Sequence, residues 1–230
     1  MALEPVLPAA RFDISSFGEL VGDPSRVAIL LALMDGSARP ATELADIAGV
    51  TRSTASAHLR RLLEGRLIVV EVSGRHRYFR LAGDEVADAL EAVALIRPSE
   101  TRARSPARLA LAEARTCYRH LAGRLGVAWL AALEDMRLVA VREGALALSP
   151  AGARFFERVG LSPARPRWPT GKPCLDWTER RYHLGGRLGA VLTEQLFAMK
   201  WIARKSDGRA VRVTTKGSTE LARQFGVRTA

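Results

Sequence analysis

The chain has 230 residues, 48% of them hydrophobic and 26% charged, a balance that describes one large or two ordinary folded domains and argues against default disorder. No apolar run reaches the roughly 18 residues of a membrane span, the opening MALEPVLPAARFD lacks the basic start and apolar core of a signal peptide, and two cysteines are too few for a disulfide framework; a cytoplasmic protein with no membrane partner is expected. The net charge of +11 is uneven: residues 1–100 hold 11 Arg against 14 acidic side chains, a net −3, and residues 101–230 hold 24 basic against 10 acidic, a net +14.

The first readable element starts at Asp23-Pro24, an N-cap followed by proline at the first helical position, with Val27, Leu30, Leu31 and Met34 at helical spacing and Gly36 as the stop. ATELADIAGV predicts a short helix with Leu44, Ala45 and Ile47 on one side, ended by Gly49. Thr51 then caps RSTASAHLRRLLEG, whose Ala55, Leu59, Leu62 and Leu63 face inward. Two helices joined by so tight a turn make a helix-turn-helix. LIVVEV and RYFRL flank the tip Ser73-Gly74-Arg75-His76 and predict a hairpin, which completes a winged helix. DEVADALEAVALI predicts a further amphipathic helix with Val86, Leu90 and Val93 as its stripe, suited either to pairing two subunits or to the domain's own core.

Between residues 51 and 80 the local charge reverses: Arg52, Arg60, Arg61, Arg66, Arg75, Arg77 and Arg80 face only Glu64 and Glu71. A basic patch in an otherwise acidic domain is a footprint of nucleic-acid contact. On the outward helix face, Arg52, Ser53, Ser56, Ala57 and Arg60 are placed to meet base edges in a major groove. Thr51, Thr54, His58 and Arg61 are assigned to phosphates, and Arg75, His76 and Arg77 on the wing to the backbone or minor groove. His58 has a second reading as a core-edge hydrogen-bonding group.

Residues from about 17 to 96, carrying FGELVGDPSRVAILLALMDG, ATELADIAGV, TRSTASAHLRRLLEGRLI and GRHRYFRL, resemble the ArsR-type winged-helix repressors. The resemblance implies a homodimer on a palindromic double-stranded DNA operator, released when an effector binds. It does not supply the effector. Metal-sensing members carry cysteines at the start of the helix before the recognition helix, where this chain has Pro40, Ala41 and Thr42, and the last helix of the domain offers carboxylates without a histidine.

Past the linker PSETRARSP, Ser105-Pro106 starts a second region containing an internal repeat. HLAGRLG at His120 returns as HLGGRLG at His183, followed in each copy by a helical stretch, a hairpin ending in Ser/Thr-x-x-Gly (GALALSPAG and RAVRVTTKG) and a last helix (ARFFERVG and TELARQFG). The expected architecture is mainly α with small β-hairpins: a winged helix-turn-helix over residues 12–97 for DNA binding and dimerisation, then a sensing or assembly domain over 105–228 built of two winged-helix-like repeats, 120–161 and 183–227. Val50 to Leu67 spans 17 residues against 11 from Val127 to Leu138, a loss of nearly two helical turns, so the repeats lack room for a full recognition helix. A continuous helix with Gly123, Gly126, Gly186 and Gly189 at a close contact is the plainer alternative.

This second region holds both cysteines and all four tryptophans. Cys117 and His120 are spaced one helical turn apart. Cys174 precedes LDWTERR, where Asp176 and Glu179 read as a capping box, and a thiol at a helix N-terminus near Lys172, Arg180 and Arg181 would be reactive. Three roles compete: a thiol redox switch, a zinc or other soft-metal site from Cys117, His120, Cys174 and His183, and a small-molecule pocket lined by Trp177, Arg180 and Arg181. The fourth reading is plain packing, favoured for Trp129 and Trp201 at apolar positions of the repeat. The whole predicts a sequence-specific, dimeric repressor rather than an enzyme. Its rivals are a sequence-tolerant architectural DNA clamp using the +14 region, and a Cys/His-dependent enzyme with Cys117 and His120 or His183 as a nucleophile–base pair, for which no phosphate loop, carboxylate pair or serine elbow speaks.

Overall fold

The computed structural model describes residues 14–74, 76–96, 106–142, 145–161, 168–205 and 208–229. The segment MALEPVLPAARFD, the linker PSETRARSP up to Ser105 and the wing-tip Arg75 lie outside them. The chain forms two compact units, the first comprising residues up to 33 with 37–83 and the second comprising 34–36 with the residues from 84 onward.

The first unit runs α1 (Ile14–Val21), α2 (Pro24–Leu33), β1 (Arg39–Pro40), α3 (Ala41–Ala48), α4 (Arg52–Glu64), β2 (Ile68–Ser73) and β3 (His76–Leu81). This is the helix–turn–helix–wing order that the ArsR resemblance implies. The caps are those the sequence supplies: Asp23 accepts from the Arg26 N–H at 2.9 Å, Thr51 from the Thr54 N–H at 3.2 Å, and Gly49 closes α3 in the left-handed conformation at φ 66°. The hairpin is antiparallel, with Ser73 opposite His76, and β1 adds a third strand to it, in the order β1-β3-β2. Ile29, Leu30, Leu33, Leu44, Ala55, Leu59, Leu62, Ile68 and Leu81 form the core. Each leucine or isoleucine among them contributes about 1.5–3 kcal/mol on burial.

Two predicted stripes are displaced. In α2, Leu31 is exposed while Ile29 and Leu33 are buried, and in α3 Ile47 is exposed beside buried Leu44 and Ala45. Both helices are apolar on more than one face, so periodicity alone does not choose the inner one. Arg26 is buried and takes up the free carbonyls at the end of α1, donating to Glu19 O and Leu20 O at 2.7 Å each. Nothing in its sequence context marks it for that task.

The second unit includes α5 (Asp84–Ile96), which the sequence assigns to the winged helix. It continues with α6 (Pro106–Glu113) and two successions of the same elements. The first is β4 (Arg115–Cys117), β5 (His120–Ala122), α7 (Gly123–Asp135), β6 (Val139–Arg142), β7 (Ala145–Leu148) and α8 (Pro150–Arg158). The second is β8 (Lys172–Leu175), β9 (Tyr182–Gly185), α9 (Gly186–Ala198), β10 (Ile202–Arg204), β11 (Val211–Val213) and α10 (Thr215–Phe225). In each, one 13-residue helix lies between two hairpins. Ser149 and Thr214 cap the last helices by accepting from the Gly152 and Gly217 N–H, each at 2.9 Å.

The repeated heptapeptide is a strand running into a helix, not a continuous helix. His120–Ala122 and Tyr182–Gly185 are strands, and the helices start at Gly123 and Gly186, both with positive φ. The core of this unit gathers Leu121, Leu125, Trp129, Leu133, Phe156, Leu184, Leu188, Leu192, Trp201, Leu221 and Phe225 from both successions, so neither half buries its apolar face alone.

The predicted stripe of α5 is also displaced. Its buried residues are Ala87 and Glu91, whereas Val93 is exposed. Asp88 pairs with Lys172 at the surface, and Glu91 with Arg115 and Arg209, so of these carboxylates only that of Glu91 is withdrawn from solvent.

Candidate functional site

Two groups of residues are candidates, one in each unit. On α4, the cap and the spacing of Ala55, Leu59 and Leu62 fix which face is outward. Thr51, Arg52, Ser53, Thr54, Ser56, Ala57, Arg60 and Arg61 are all exposed. Among the described residues Arg60 faces the exposed counter-charge of Glu64 at 4.0 Å, a pair of small energetic value that leaves its guanidinium free to move. On the wing, His76 and Arg77 are exposed. His58 departs from the row: its ring is half-buried, with Nδ1 3.5 Å from Arg26 and Nε2 4.0 Å from Asp23. Within this structure the ring holds α4 to the start of α2.

The second group is built by hairpins. Cys117 lies directly opposite His120 across β4–β5, and Cys174 directly opposite His183 across β8–β9. The helical spacing expected for Cys117 and His120 is therefore replaced by a cross-strand pair. Three-residue strands carry no alternation pattern from which this could be read. The two pairs face each other: Cys117 Sγ and Cys174 Sγ are 4.0 Å apart, and His183 Nε2 is 3.2 Å from His120 Nδ1. One ligand atom from each of the four lies within 4.8 Å of the others. All four side chains are buried, and both cysteines are free thiols.

Burial, with the neighbouring His183, Lys172 and Arg115, holds the His120 pKa down to about 3, so the ring is a neutral imidazole. The hydrogen bond between the two sulfurs divides them: together with burial and Glu91 it pushes Cys117 well above the usual thiol range, and with help from His183 it brings Cys174 down to about 6 against the effect of burial. The expected origin of a reactive Cys174, a helix N-terminus, is absent. Cys174 is in β8, and residues 177–179 form a turn.

Asp176 does act as a cap, for that turn and for a helix in the other half. Its carboxylate accepts from the Thr178 and Glu179 N–H at 2.9 and 3.1 Å and from the Gly123 N–H, the first residue of α7, at 2.7 Å. Burial opposes its charge, but Arg115 at 3.0 Å and these donors outweigh it and keep the pKa at about 2. Arg115 is wholly buried, with Glu91 3.7 Å away and the Trp177 ring 4.8 Å from its guanidinium carbon. Arg108 also lies over Trp177, at 5.3 Å. Trp177 is thus engaged by Arg108 and Arg115, while Arg180 and Arg181 are exposed. The roles of Glu91, Asp88 and Arg115 are invisible in the sequence, because a charge on an amphipathic helix or in a short strand reads as outward.

Residues 21–71 match the helix-turn-helix domain family. Over 222 residues, 94% of this chain and 98% of the relative, the sequence is 37% identical to the uncharacterized HTH-type transcriptional regulator YdfF of Bacillus subtilis (strain 168). The chain belongs to the helix-turn-helix transcriptional regulators. The regulator is also 39% identical over 77 residues, 34% of its length and 64% of the relative, to the HTH-type transcriptional regulator CmtR of Mycobacterium tuberculosis. Among solved structures it is similar to a homodimeric winged helix-turn-helix DNA-binding domain from Mycobacterium bovis, a possible ArsR-family regulator, at 27% identity and a TM-score of 0.37, covering 46% of this chain and 97% of that one. Among the described residues of the regulator no helix is long and apolar enough to cross a membrane.

Proposed function

We propose that the regulator is a sequence-specific repressor that binds a palindromic operator as a homodimer, with its DNA affinity modulated through the second unit. The observation that carries this reading is the exposed row on α4. Arg52, Ser53, Ser56, Ala57 and Arg60 offer two guanidiniums able to hold guanine through paired hydrogen bonds, and small groups suited to other base edges. Thr51, Thr54 and Arg61, with His76 and Arg77 of the wing, supply phosphate contacts that set the register. Modulation is supported by α5, which begins three residues after the last residue of β3 and is ion-paired through Asp88 and Glu91 to the strands carrying the Cys–His group. The exposed Val93 and Ile96 of α5 are apolar surface suited to a second copy.

The test is selection of random and genomic DNA by the purified, reduced, full-length protein, with sequencing of what is retained. An inverted repeat with half-sites one helical turn apart is expected. Retention without a motif that disappears at physiological salt would instead identify a sequence-tolerant clamp, since such binding falls by about 0.9 per neutralised phosphate in log affinity for each decade of salt.

A further inference from the structure

We propose that Cys117, His120, Cys174 and His183 form a tetrahedral binding site for one zinc ion, assembled half from each of the two repeated hairpins. The first argument is metric. Zinc bonds of about 2.3 Å to sulfur and 2.0–2.1 Å to imidazole nitrogen make tetrahedral edges of about 3.8 Å between sulfurs and about 3.3 Å between nitrogens. The corresponding distances here are 4.0 Å between the sulfurs and 3.2 Å between His183 Nε2 and His120 Nδ1. The sulfur–sulfur and nitrogen–nitrogen edges therefore match a tetrahedral zinc site to a few tenths of an ångström, and with all four ligand atoms within 4.8 Å of one another the sulfur–nitrogen edges, about 3.6 Å around zinc, need to close by no more than about 1.2 Å. A disulfide requires the sulfurs to close to about 2.05 Å and leaves the facing imidazoles without a common partner.

The second argument is how the four are held. Each hairpin presents one cysteine and one histidine from directly opposed strand positions, and the helix of each half packs against the hairpin of the other, α7 on β9 and α9 on β5. That crossing is close because of two glycines from the repeated heptapeptide. A Cβ on Gly189 would lie 3.0 Å from His120 Cβ, and one on Gly126 would lie 3.6 Å from His183 Cβ. The same small residues that made the repeat visible seat the two imidazoles.

The third argument is the surroundings. The outer nitrogen of His183, Nδ1, is buried without a hydrogen-bond partner and lies 3.6 Å from the Asp176 carboxylate. Metal-bound histidines characteristically direct their second nitrogen to a carboxylate, which fixes the ring and raises its basicity. Asp176 is oriented for that role by Arg115 and three backbone donors. Cys174 also borders a hollow of about 200 Å³ whose lining includes Asp88, Glu91, Lys172 and Pro173.

Two sulfurs and two imidazole nitrogens select zinc and other thiophilic ions over magnesium or calcium, which require oxygen. On binding, the two thiols release their protons to solvent and the two thiolates neutralise the dication.

The experiment is cobalt substitution and elemental analysis of the full-length protein purified under reducing conditions. We expect one equivalent of zinc as isolated. One equivalent of cobalt should give the intense visible bands of a tetrahedral site and a thiolate-to-cobalt charge-transfer band, both abolished in Cys117→Ser with the circular dichroism of the wild type. Failure of reduced wild type to retain either metal, a weak octahedral spectrum, a Cys117–Cys174 disulfide in place of metal, or an undiminished signal in folded Cys117→Ser overturns the proposal. If Cys117→Ser does not fold, the wild-type cobalt spectrum decides alone. None of these readouts involves DNA, so the site and the DNA-binding reading stand or fall separately.

Discussion

Replacing Asp176 by alanine removes the centre of the buried ionic network in the second unit. Arg115 loses its nearest counter-charge, at 3.0 Å, and keeps Glu91 at 3.7 Å, while the N–H groups of Gly123, Thr178 and Glu179 lose their acceptor. Breaking a buried pair by deleting one member costs about 3–5 kcal/mol, and each donor left unsatisfied in the interior about 1–3 kcal/mol. Glu91 and water reaching the turn residues offset part of this, so a loss of about 3–5 kcal/mol is expected. That is a large share of the 5–15 kcal/mol typical of a folded domain. The assay is urea unfolding followed by tryptophan fluorescence. Trp129, Trp168, Trp177 and Trp201 all belong to the second unit, so the signal reports that unit alone. Asp176→Asn, which retains an acceptor oxygen, should lose less. A change below about 1 kcal/mol in Asp176→Ala would refute the view that this carboxylate ties the two halves together.

Gly217→Ala places a Cβ 1.8 Å from the Trp201 carbonyl oxygen, and the same fluorescence assay should show a loss of at least about 1–3 kcal/mol from overpacking. Asp23 has its pKa lowered from 3.8, first by the Arg26 N–H it accepts. Its contribution is therefore present above the unfolded value and lost as pH falls through the lowered folded one, so amide exchange in α2 should accelerate below about pH 4 in the wild type and not in Asp23→Asn. Zinc added to the metal-free protein should raise the tryptophan-detected unfolding free energy, by about 2.7 kcal/mol at a hundredfold excess over Kd, and a chelator should reverse it; Cys117→Ser should show neither effect. Arg77→Ala should weaken binding evenly across DNA sequences and lower the slope of log affinity against log salt by about 1, as titrations at several salt concentrations would measure.

Helix α4 is legible because its signals are local. Thr51 caps it, Ala55, Leu59 and Leu62 repeat at helical spacing, and Gly65 follows the last residue. The repeat is legible because HLAGRLG and HLGGRLG are nearly alike. What the heptapeptide builds is harder to read. Leu121 and Ala122 favour a helix intrinsically, yet they are held in a strand by pairing with Thr116 and Arg115 and by Thr193, whose hydroxyl accepts from the Leu121 N–H at 2.8 Å. These partners are brought together by the tertiary fold. The Cys–His group was legible as composition, two cysteines and two histidines in one region, while its geometry depends on hairpins whose strands are three or four residues long. Glu91 and Arg115 carry no such local signal: both are buried in a cluster of charges with Asp176 and Arg209 that only the tertiary fold brings together.

The most direct test of the central claim is a specificity profile of the selected operator, with wild type and Arg60→Ala measured against every single base-pair substitution. Base reading by α4 predicts that the wild type loses about 1–3 kcal/mol at each contacted pair, and that Arg60→Ala loses discrimination at one symmetric position per half-site while retaining the others. An Arg60→Ala profile identical to the wild type at every position would contradict the assignment of α4 as the reading helix.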